Sequence, residues 1–173
     1  MLLLDVPNRT WSKEMLEYLE IDPSWLAKLH ESYEISGYLT ESVKAELGLT
    51  GDVIVAAGAG DQAAGAIGTG TTSEGIVSVT LGTSGVVFAA HGEYAVDGDN
   101  RLHAFCHANG KYHSMGVMLS AASSLKWWVE DVHKGVSFET LLAEAAEVSV
   151  QDQKVVFLPY LMGERTPYSD PDA

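Results

Sequence analysis

The first candidate functional residue in this sequence is Asp61, a carboxylate that follows a glycine-rich turn. Val53 to Ala57 is short, apolar and rich in β-branched residues, which predicts a buried strand. Gly58 and Gly60 then allow a tight turn, and Asp61 follows where an alanine-rich helix over 62–67 begins. Two interpretations remain open from these residues. Asp61 is either a helix N-cap occupied by backbone N–H groups, or a carboxylate that faces a ligand.

A second turn, Leu81-Gly82-Thr83-Ser84-Gly85, offers backbone N–H and hydroxyl donors with little side-chain bulk. The flanking residues, 75–80 and 86–90, are predicted strands. Such a turn suits an anion, and phosphate above all. The alternative is an ordinary hairpin turn. Neither a Gly-x-x-x-x-Gly-Lys-Ser/Thr loop nor a Gly-x-Gly-x-x-Gly helix start accompanies it.

The charge balance limits what the chain can bind. With 173 residues, 46% hydrophobic and 20% charged, the sequence predicts a folded globular chain. The net charge of −14 argues against nucleic acid and anionic membrane surfaces as partners. With only ten basic residues, phosphate binding must use N–H groups, hydroxyls, a metal or a basic residue from elsewhere. Arg165 is either a loop-fixing ion-pair partner or an anion contact.

The cysteine content and hydropathy predict a cytoplasmic protein. Cys106 is the only cysteine, so an internal disulfide is excluded and a reducing compartment is expected. The small apolar run over 53–70 is rich in glycine and contains Asp61 and Gln62, which argues against a membrane span.

The remaining elements must position these two turns. Proposed helix starts are Ser12 (to Leu19), Asp22-Pro23, Thr40 (to Leu47, stopped by Gly48) and Ser137 (to Val148). A further helix is expected over Met118–Glu130, with core residues Met118, Ala121, Ala122, Leu125 and Trp128 at helical spacing. Trp127 falls off that stripe and either borders a ligand or lies on the surface. Strands are expected at Leu2–Leu4 and, buried, at Val155–Leu161.

A hairpin is predicted around Asn109-Gly110, between strands at Leu102–Ala108 and Lys111–Val117. Strand geometry places His103 and His107 on one face about 13 Å apart. Cys106 and His113 are expected on the other face, so no metal site is predicted. His107 is interpreted as the cross-strand partner of Tyr112.

Taken together, several segments resemble the FGGY family of carbohydrate kinases. They stand in the family's order and spread over nearly the whole chain: Gly58-Ala-Gly-Asp-Gln-Ala-Ala, Leu81-Gly-Thr-Ser-Gly, His103-Ala-Phe-Cys-His-Ala, Met118-Leu-Ser-Ala-Ala-Ser and Phe157-Leu-Pro-Tyr-Leu-Met-Gly-Glu-Arg-Thr-Pro. Phe-Cys-His-Ala and Gly-Glu-Arg-Thr-Pro are most similar to members that phosphorylate xylulose. The family's opening phosphate loop and later adenosine segment are not found, so the sequence resembles an internal piece of such an enzyme.

The resemblance implies a fold, a reaction and a set of roles. The fold is α/β, actin-like and ribonuclease-H-like, with 1–73 ending a sugar-binding domain and 74–173 beginning a nucleotide-binding domain. The reaction is ATP- and Mg²⁺-dependent phosphorylation of D-xylulose. Asp61 would be the general base, Gln62 would contact the sugar, and Gly82, Thr83 and Ser84 would bind ATP phosphates.

Other functions also stay open at this level. They are kinase activity on ribulose, gluconate or glycerol, and a non-catalytic actin-like module that binds nucleotide. The piece alone is expected to be inactive. Apolar surface at its cut edges predicts self-association, a homodimer included.

Overall fold

The structure is a computed structural model that describes residues 2–149, 151 and 154–173 and contains both helices and strands. Its strands are β1 (Leu4–Asp5), β2 (Thr10–Trp11), β3 (Ile35–Tyr38), β4 (Ile54–Ala56), β5 (Val77–Leu81), β6 (Gly85–His91), β7 (His103–Cys106) and β8 (Tyr112–Met118). Its helices are α1 (Lys13–Tyr18), α2 (Glu41–Leu47), α3 (Asp61–Gly68), α4 (Ala122–Trp127) and α5 (Phe138–Ala146). A 3₁₀ turn covers Pro23–Trp25, and a π-helical segment covers Trp128–Val132.

The chain divides into two compact units. Unit 1 comprises Met1–Ser78, Phe88–Val96 and His103–Met115. Unit 2 comprises Val79–Val87, Asp97–Leu102 and Gly116–Ala173. Among the described residues, the buried apolar side chains of unit 1 are Leu16, Ala66, Phe88 and Ala90, and those of unit 2 are Val86, Val117 and Val129.

The strands form three sheets. β1 pairs with β2 and β3 pairs with β4, both antiparallel. The third sheet has the order β5-β6-β8-β7, and its β7–β8 pair is antiparallel. Buried and exposed residues alternate along much of β6, as expected when one face of a sheet packs against the core. The predicted strands at 53–57, 75–80 and 86–90 are thus confirmed within one or two residues at their ends. The prediction that 53–57 is buried was wrong, since Ile54 and Val55 are 56% and 40% exposed.

Three helices begin where their capping residues predict. The hydroxyl oxygen of Ser12 accepts the Met15 N–H at 3.3 Å. Thr40 accepts from Val43 at 3.4 Å, and Ser137 accepts from Thr140 at 3.2 Å. Each bond satisfies one of the amides that a helix N-terminus leaves without a partner. These caps are local, which is why the sequence alone was sufficient to predict them.

Near the start of the chain, one strand and one helix are shorter in the structure than the sequence predicts. The strand expected at Leu2–Leu4 is the short β1, Leu4–Asp5, which pairs with Thr10–Trp11. The helix expected at Asp22-Pro23 is a 3₁₀ turn of three residues. Asp22 caps it through the Ser24 N–H at 2.8 Å, but the backbone is already extended at Leu26.

The prediction that a helix begins at Met118 and runs to Glu130 was wrong for its first four residues. Strand β8 continues through Met118, and α4 begins only at Ala122. The amides of Ala121 and Ala122 donate to Thr83 and Gly82 carbonyls, both at 2.9 Å. A turn distant in sequence therefore satisfies the first amides and sets the start of α4.

The buried strand predicted over Val155–Leu161 was also wrong. Residues 154–160 carry no regular secondary structure, and Val155 and Val156 are 86% and 83% exposed. A β-branched run becomes a buried strand only when a neighbouring strand supplies its hydrogen bonds. No strand in the described part of the chain pairs with this segment.

Gly163 is a position where a side chain cannot be accommodated. Its φ is +77°, and an added Cβ would lie 2.5 Å from the Pro171 carbonyl oxygen. Gly135 has a similar φ of +91° but open space around it. We expect Gly135→Ala to lower the free energy of unfolding by about 1 kcal/mol and Gly163→Ala by about 2 kcal/mol, measured by urea titration. Equal losses would show that the Pro171 contact has no influence on stability.

Candidate active site

Asp61 is the first residue of α3, the helix that follows β4 in unit 1. The N-cap residue is Gly60, which has no side chain to bond the helix amides. One carboxylate oxygen of Asp61 accepts the adjacent Gln62 N–H at 2.9 Å, and the residue is exposed. The N-cap interpretation of Asp61 was therefore wrong, because the carboxylate is not enclosed by the amides of the next turn. A carboxylate in the first turn still interacts favourably with the helix dipole.

The loop before Asp61 is fixed by backbone contacts. Gly58 adopts a φ of +77°, which a residue with a side chain would adopt only with strain. Its N–H donates to the Ser32 carbonyl at 3.0 Å, and the Ala57 N–H donates to the Glu34 carbonyl at 2.9 Å. The position of Asp61 is thus set from its N-terminal side by main chain. Gln62 is half-buried beside it.

The second turn, Gly82 to Ser84, joins β5 to β6 in unit 2 and is exposed. Its carbonyl oxygens are occupied: Thr83 accepts the Ala121 N–H and the Ser123 hydroxyl, both at 2.9 Å. The Gly82 N–H is also used, since it donates to the Ser84 carbonyl at 2.9 Å. The hydroxyls of Thr83 and Ser84 make no hydrogen bond with any described residue and are the donors that an anion would meet.

A cavity of ≈590 Å³ lies behind the Gly58–Gly60 loop, within unit 1. Its polar lining includes Arg9, His30, Glu31, Glu34 and His107. None of the first four was singled out by sequence reasoning. Arg9 reaches Glu31, 22 residues further on, and no local spacing predicts that contact, whereas His30 and Glu34 are partners only four positions apart.

Arg9 connects three parts of unit 1. One guanidinium nitrogen lies 2.7 and 3.0 Å from the two carboxylate oxygens of Glu31. The other donates to the carbonyls of Gly110 and Lys111, at 2.7 and 2.8 Å. The guanidinium also lies 4.7 Å from the centre of the Tyr112 ring. A planar donor group with several fixed acceptors holds the hairpin turn in one place.

The hairpin around Asn109-Gly110 is confirmed, but its predicted register was wrong. Cys106, rather than His107, lies opposite Tyr112, and His113 lies opposite Phe105. His107 belongs to the turn, where its N–H donates to Lys111. Because directly opposed residues share a face, His113 lies on the same face as Phe105, not on the face of Cys106.

His107 and His113 pack around Phe88 in the core of unit 1. The Phe88 ring stacks on His113 at 4.1 Å and meets His107 edge-on at 5.2 Å. Both histidines are almost fully buried, at 1% and 4% exposed. Burial, with smaller contributions from His107 and His91, lowers the pKa of His113 from 6.5 to about 4. His113 is therefore neutral at physiological pH.

Unit 2 contains an apolar cavity of ≈700 Å³ beneath α4. Met118, Leu125 and Trp128 line it and are 37%, 39% and 43% exposed. The prediction that this stripe is buried core was wrong for these three residues and for Ala122, which is exposed and lines the same cavity. Trp127 stacks on Phe157 with the ring planes 11° apart and is half-buried, so it is not simply a surface residue.

Arg165 was predicted either to fix its loop through an ion pair or to contact an anion. Arg165 is exposed and forms no ion pair with a described residue, so the loop-fixing salt bridge is not observed.

Within residues 2–149, 151 and 154–173, no three His, Cys, Asp or Glu side chains are grouped to hold a metal ion. Nor does any helix of this part of the chain have the length and apolar character to span a membrane.

Comparison with known proteins gives one consistent result. The N-terminal domain model of the FGGY family of carbohydrate kinases matches residues 1–68, and the C-terminal domain model matches residues 77–173. The xylulose kinase of Lactococcus lactis is 41% identical over 98% of this chain and 34% of its own length. The xylulose kinase of Escherichia coli is 41% identical over 98% of this chain and 35% of its own length.

A solved structure agrees with the sequence relatives. The crystal structure of a xyloylose kinase from Brucella ovis is 45% identical, with a TM-score of 0.89 over 99% of this chain and 35% of that one. The present chain thus spans about a third of the length of the relatives it matches. The predicted α/β fold class and the predicted resemblance are both confirmed. The chain belongs to the FGGY family of carbohydrate kinases.

Proposed function

We propose that this chain is part of an ATP-dependent kinase that converts D-xylulose to D-xylulose 5-phosphate, with Asp61 as the general base. The observation that carries the proposal is the exposed carboxylate of Asp61 at the start of α3. One of its oxygens accepts the Gln62 N–H, and the other makes no hydrogen bond with a described residue. The xylulose kinases that are 41% identical to this chain support D-xylulose as the sugar.

In the proposed step Asp61 accepts a proton. Its carboxylate takes the proton of the terminal sugar hydroxyl while that oxygen forms a bond to the γ-phosphorus of ATP. The bond between this phosphorus and the β,γ-bridging oxygen breaks, and ADP leaves with the electron pair. Gln62, adjacent and half-buried, contacts a sugar hydroxyl in this scheme.

The turn at Gly82–Ser84 is the proposed binding site for ATP phosphates. Thr83 and Ser84 are exposed. The Gly82 and Thr83 carbonyls, which would repel an anion, are bonded to the start of α4, and the Ser84 carbonyl accepts the Gly82 N–H. Magnesium is proposed to neutralise phosphate charge, with phosphate and water oxygens among its ligands. This arrangement agrees with a chain that has only ten basic residues.

The organisation of the whole protein is part of the same proposal. Residues 1–73 would belong to the sugar-binding domain and 74–173 to the nucleotide-binding domain. The cytoplasm is the proposed location, and neither nucleic acid nor membrane is a proposed partner. We propose that these 173 residues alone do not catalyse the reaction and that their exposed apolar residues, such as Val155 and Val156, lead to self-association.

The test is ADP release by the full-length protein with ATP and Mg²⁺, with and without sugar. We expect D-xylulose to stimulate release more than ribulose, gluconate or glycerol, and the isolated 173-residue chain to show no stimulation. Preference for another of these substrates would replace D-xylulose in the proposal. Nucleotide binding without release on any of them would favour a non-catalytic module.

A further inference from the structure

We propose that His107, assisted by Asn109, is a positioning residue for Asp61. This inference rests on the proposed role of Asp61. The two side chains hold the segment that leaves α3, and the helix in turn carries Asp61 at its other end. All of these residues lie in unit 1.

Side-chain packing alone fixes α3 weakly. The helix, Asp61–Gly68, is eight residues long, and Ala66 is its only buried residue. Alanine and glycine make up most of the rest and offer little area for contact. Its orientation must therefore be set largely by what is bonded at its two ends.

At the C-terminal end these bonds come from the hairpin turn. The Nε2 atom of His107 lies 2.9 Å from the Thr71 carbonyl oxygen, and the Nδ2 atom of Asn109 donates to the Thr72 carbonyl, also at 2.9 Å. Thr71 is 2% exposed, and its own N–H donates to Ala66 at 2.8 Å. The carbonyls of Thr71 and Thr72, three and four residues after the end of α3, are thus bonded to the turn between β7 and β8.

The state of the His107 ring follows from its partner. A carbonyl oxygen can only accept, so Nε2 of His107 carries the proton. The Nδ1 atom is buried without a hydrogen bond to any described residue. The ring plane is held by Phe88, edge-on at 5.2 Å. The donor is therefore aimed at Thr71 by surrounding rings, with no second hydrogen bond needed.

The turn itself is a firm attachment point. Arg9 donates to the carbonyls of Gly110 and Lys111 while it pairs with Glu31. Eight helical residues span roughly 12 Å, so a tilt of about 5° at the Thr71 end would move Asp61 by about 1 Å. A displacement of about that size can cost a large factor in rate when a base must meet a hydroxyl at hydrogen-bond distance.

The experiment compares His107→Leu with His107→Gln in the full-length kinase. Leucine removes the donor, whereas glutamine keeps an N–H donor on a side chain of similar length. We expect His107→Leu to lower kcat about 10-fold with KM for ATP unchanged, and His107→Gln to recover activity to within about threefold of the unaltered protein. His91→Leu is the matched control, since His91 bonds Ser114 at 2.9 Å in the same unit but does not contact the α3 segment.

Hydrogen exchange of the α3 amides is measured in the same variants. Faster exchange over residues 61–68 in His107→Leu, but not in His107→Gln or His91→Leu, supports the inference. Equal loss of activity in the leucine and glutamine variants, or unchanged exchange in both, overturns it. An unaltered protein without sugar-dependent turnover would refute the proposed function, while the exchange comparison would still decide whether His107 holds the helix.

Discussion

Replacing Asp61 with asparagine is expected to lower sugar-dependent ADP release by the full-length kinase about 10³-fold. Asparagine has nearly the same shape, and its oxygen can still accept the Gln62 N–H that Asp61 accepts at 2.9 Å. It cannot take a proton from a sugar hydroxyl. The variant should therefore fold, bind ATP and fail in the chemical step, so that kcat falls while KM for ATP changes little.

Asp52→Asn is the control for this prediction. Asp52 is an exposed carboxylate nine positions earlier in the same unit, and its change removes the same charge. We expect it to retain nearly full turnover. If Asp61→Asn kept more than about a tenth of the activity, Asp61 would not be the base, and its carboxylate would be left with only a helix-stabilising role.

Acid is expected to destabilise unit 1 through His113. The pKa of this side chain is lowered to about 4 in the folded protein, first by burial and then by the neighbouring His107 and His91. In the unfolded chain it returns to its ordinary value near 6.5. Between these values the unfolded state binds more protons, so stability falls as pH falls from 6.5 towards 4. From about pH 7.5 to about pH 4.5 the loss from this group is about 2.5 kcal/mol.

His113→Phe should remove that part of the pH dependence. Phenylalanine keeps the stacking with Phe88, which the imidazole makes at 4.1 Å, and cannot be protonated. Urea titrations at the two pH values should show a difference about 2.5 kcal/mol smaller in the variant than in the unaltered protein. His30→Gln serves as the control, because His30 lies 3.6 Å from Glu34 and makes no ring contact with Phe88 or His113. Identical pH dependence in all three proteins would contradict the assignment.

The features that were predictable from the sequence are those set by neighbouring residues. The strand, glycine turn and helix around Asp61 occupy one continuous stretch, and so do the hydroxyl caps at Ser12, Thr40 and Ser137. Asn109-Gly110 likewise specified a hairpin on its own. In each case the hydrogen bonds that define the element lie within a few residues.

The features that were missed depend on contacts between distant segments. The predicted hairpin register was wrong because His107 does not face Tyr112. It bonds the Thr71 carbonyl, 36 residues earlier in the chain. The start of α4 is set by the Gly82 and Thr83 carbonyls. The run at Val155 is rich in β-branched and aromatic residues but contains Pro159, and it has no neighbouring strand in the described part of the chain. Spacing within a segment carries no information on such partners.

The bonds from Arg9 to the hairpin turn also have a consequence for synthesis on the ribosome. Arg9 precedes its two partners, Gly110 and Lys111, by 101 and 102 positions, so the segment around Arg9 is made long before those partners exist. At about 5–20 residues per second, roughly 5–20 s pass between the two. During that interval the segment around Arg9 can form local structure such as α1, but it cannot dock. Until the turn at Gly110 has left the ribosome, Arg9 therefore lacks the two carbonyl acceptors that attach it to the hairpin.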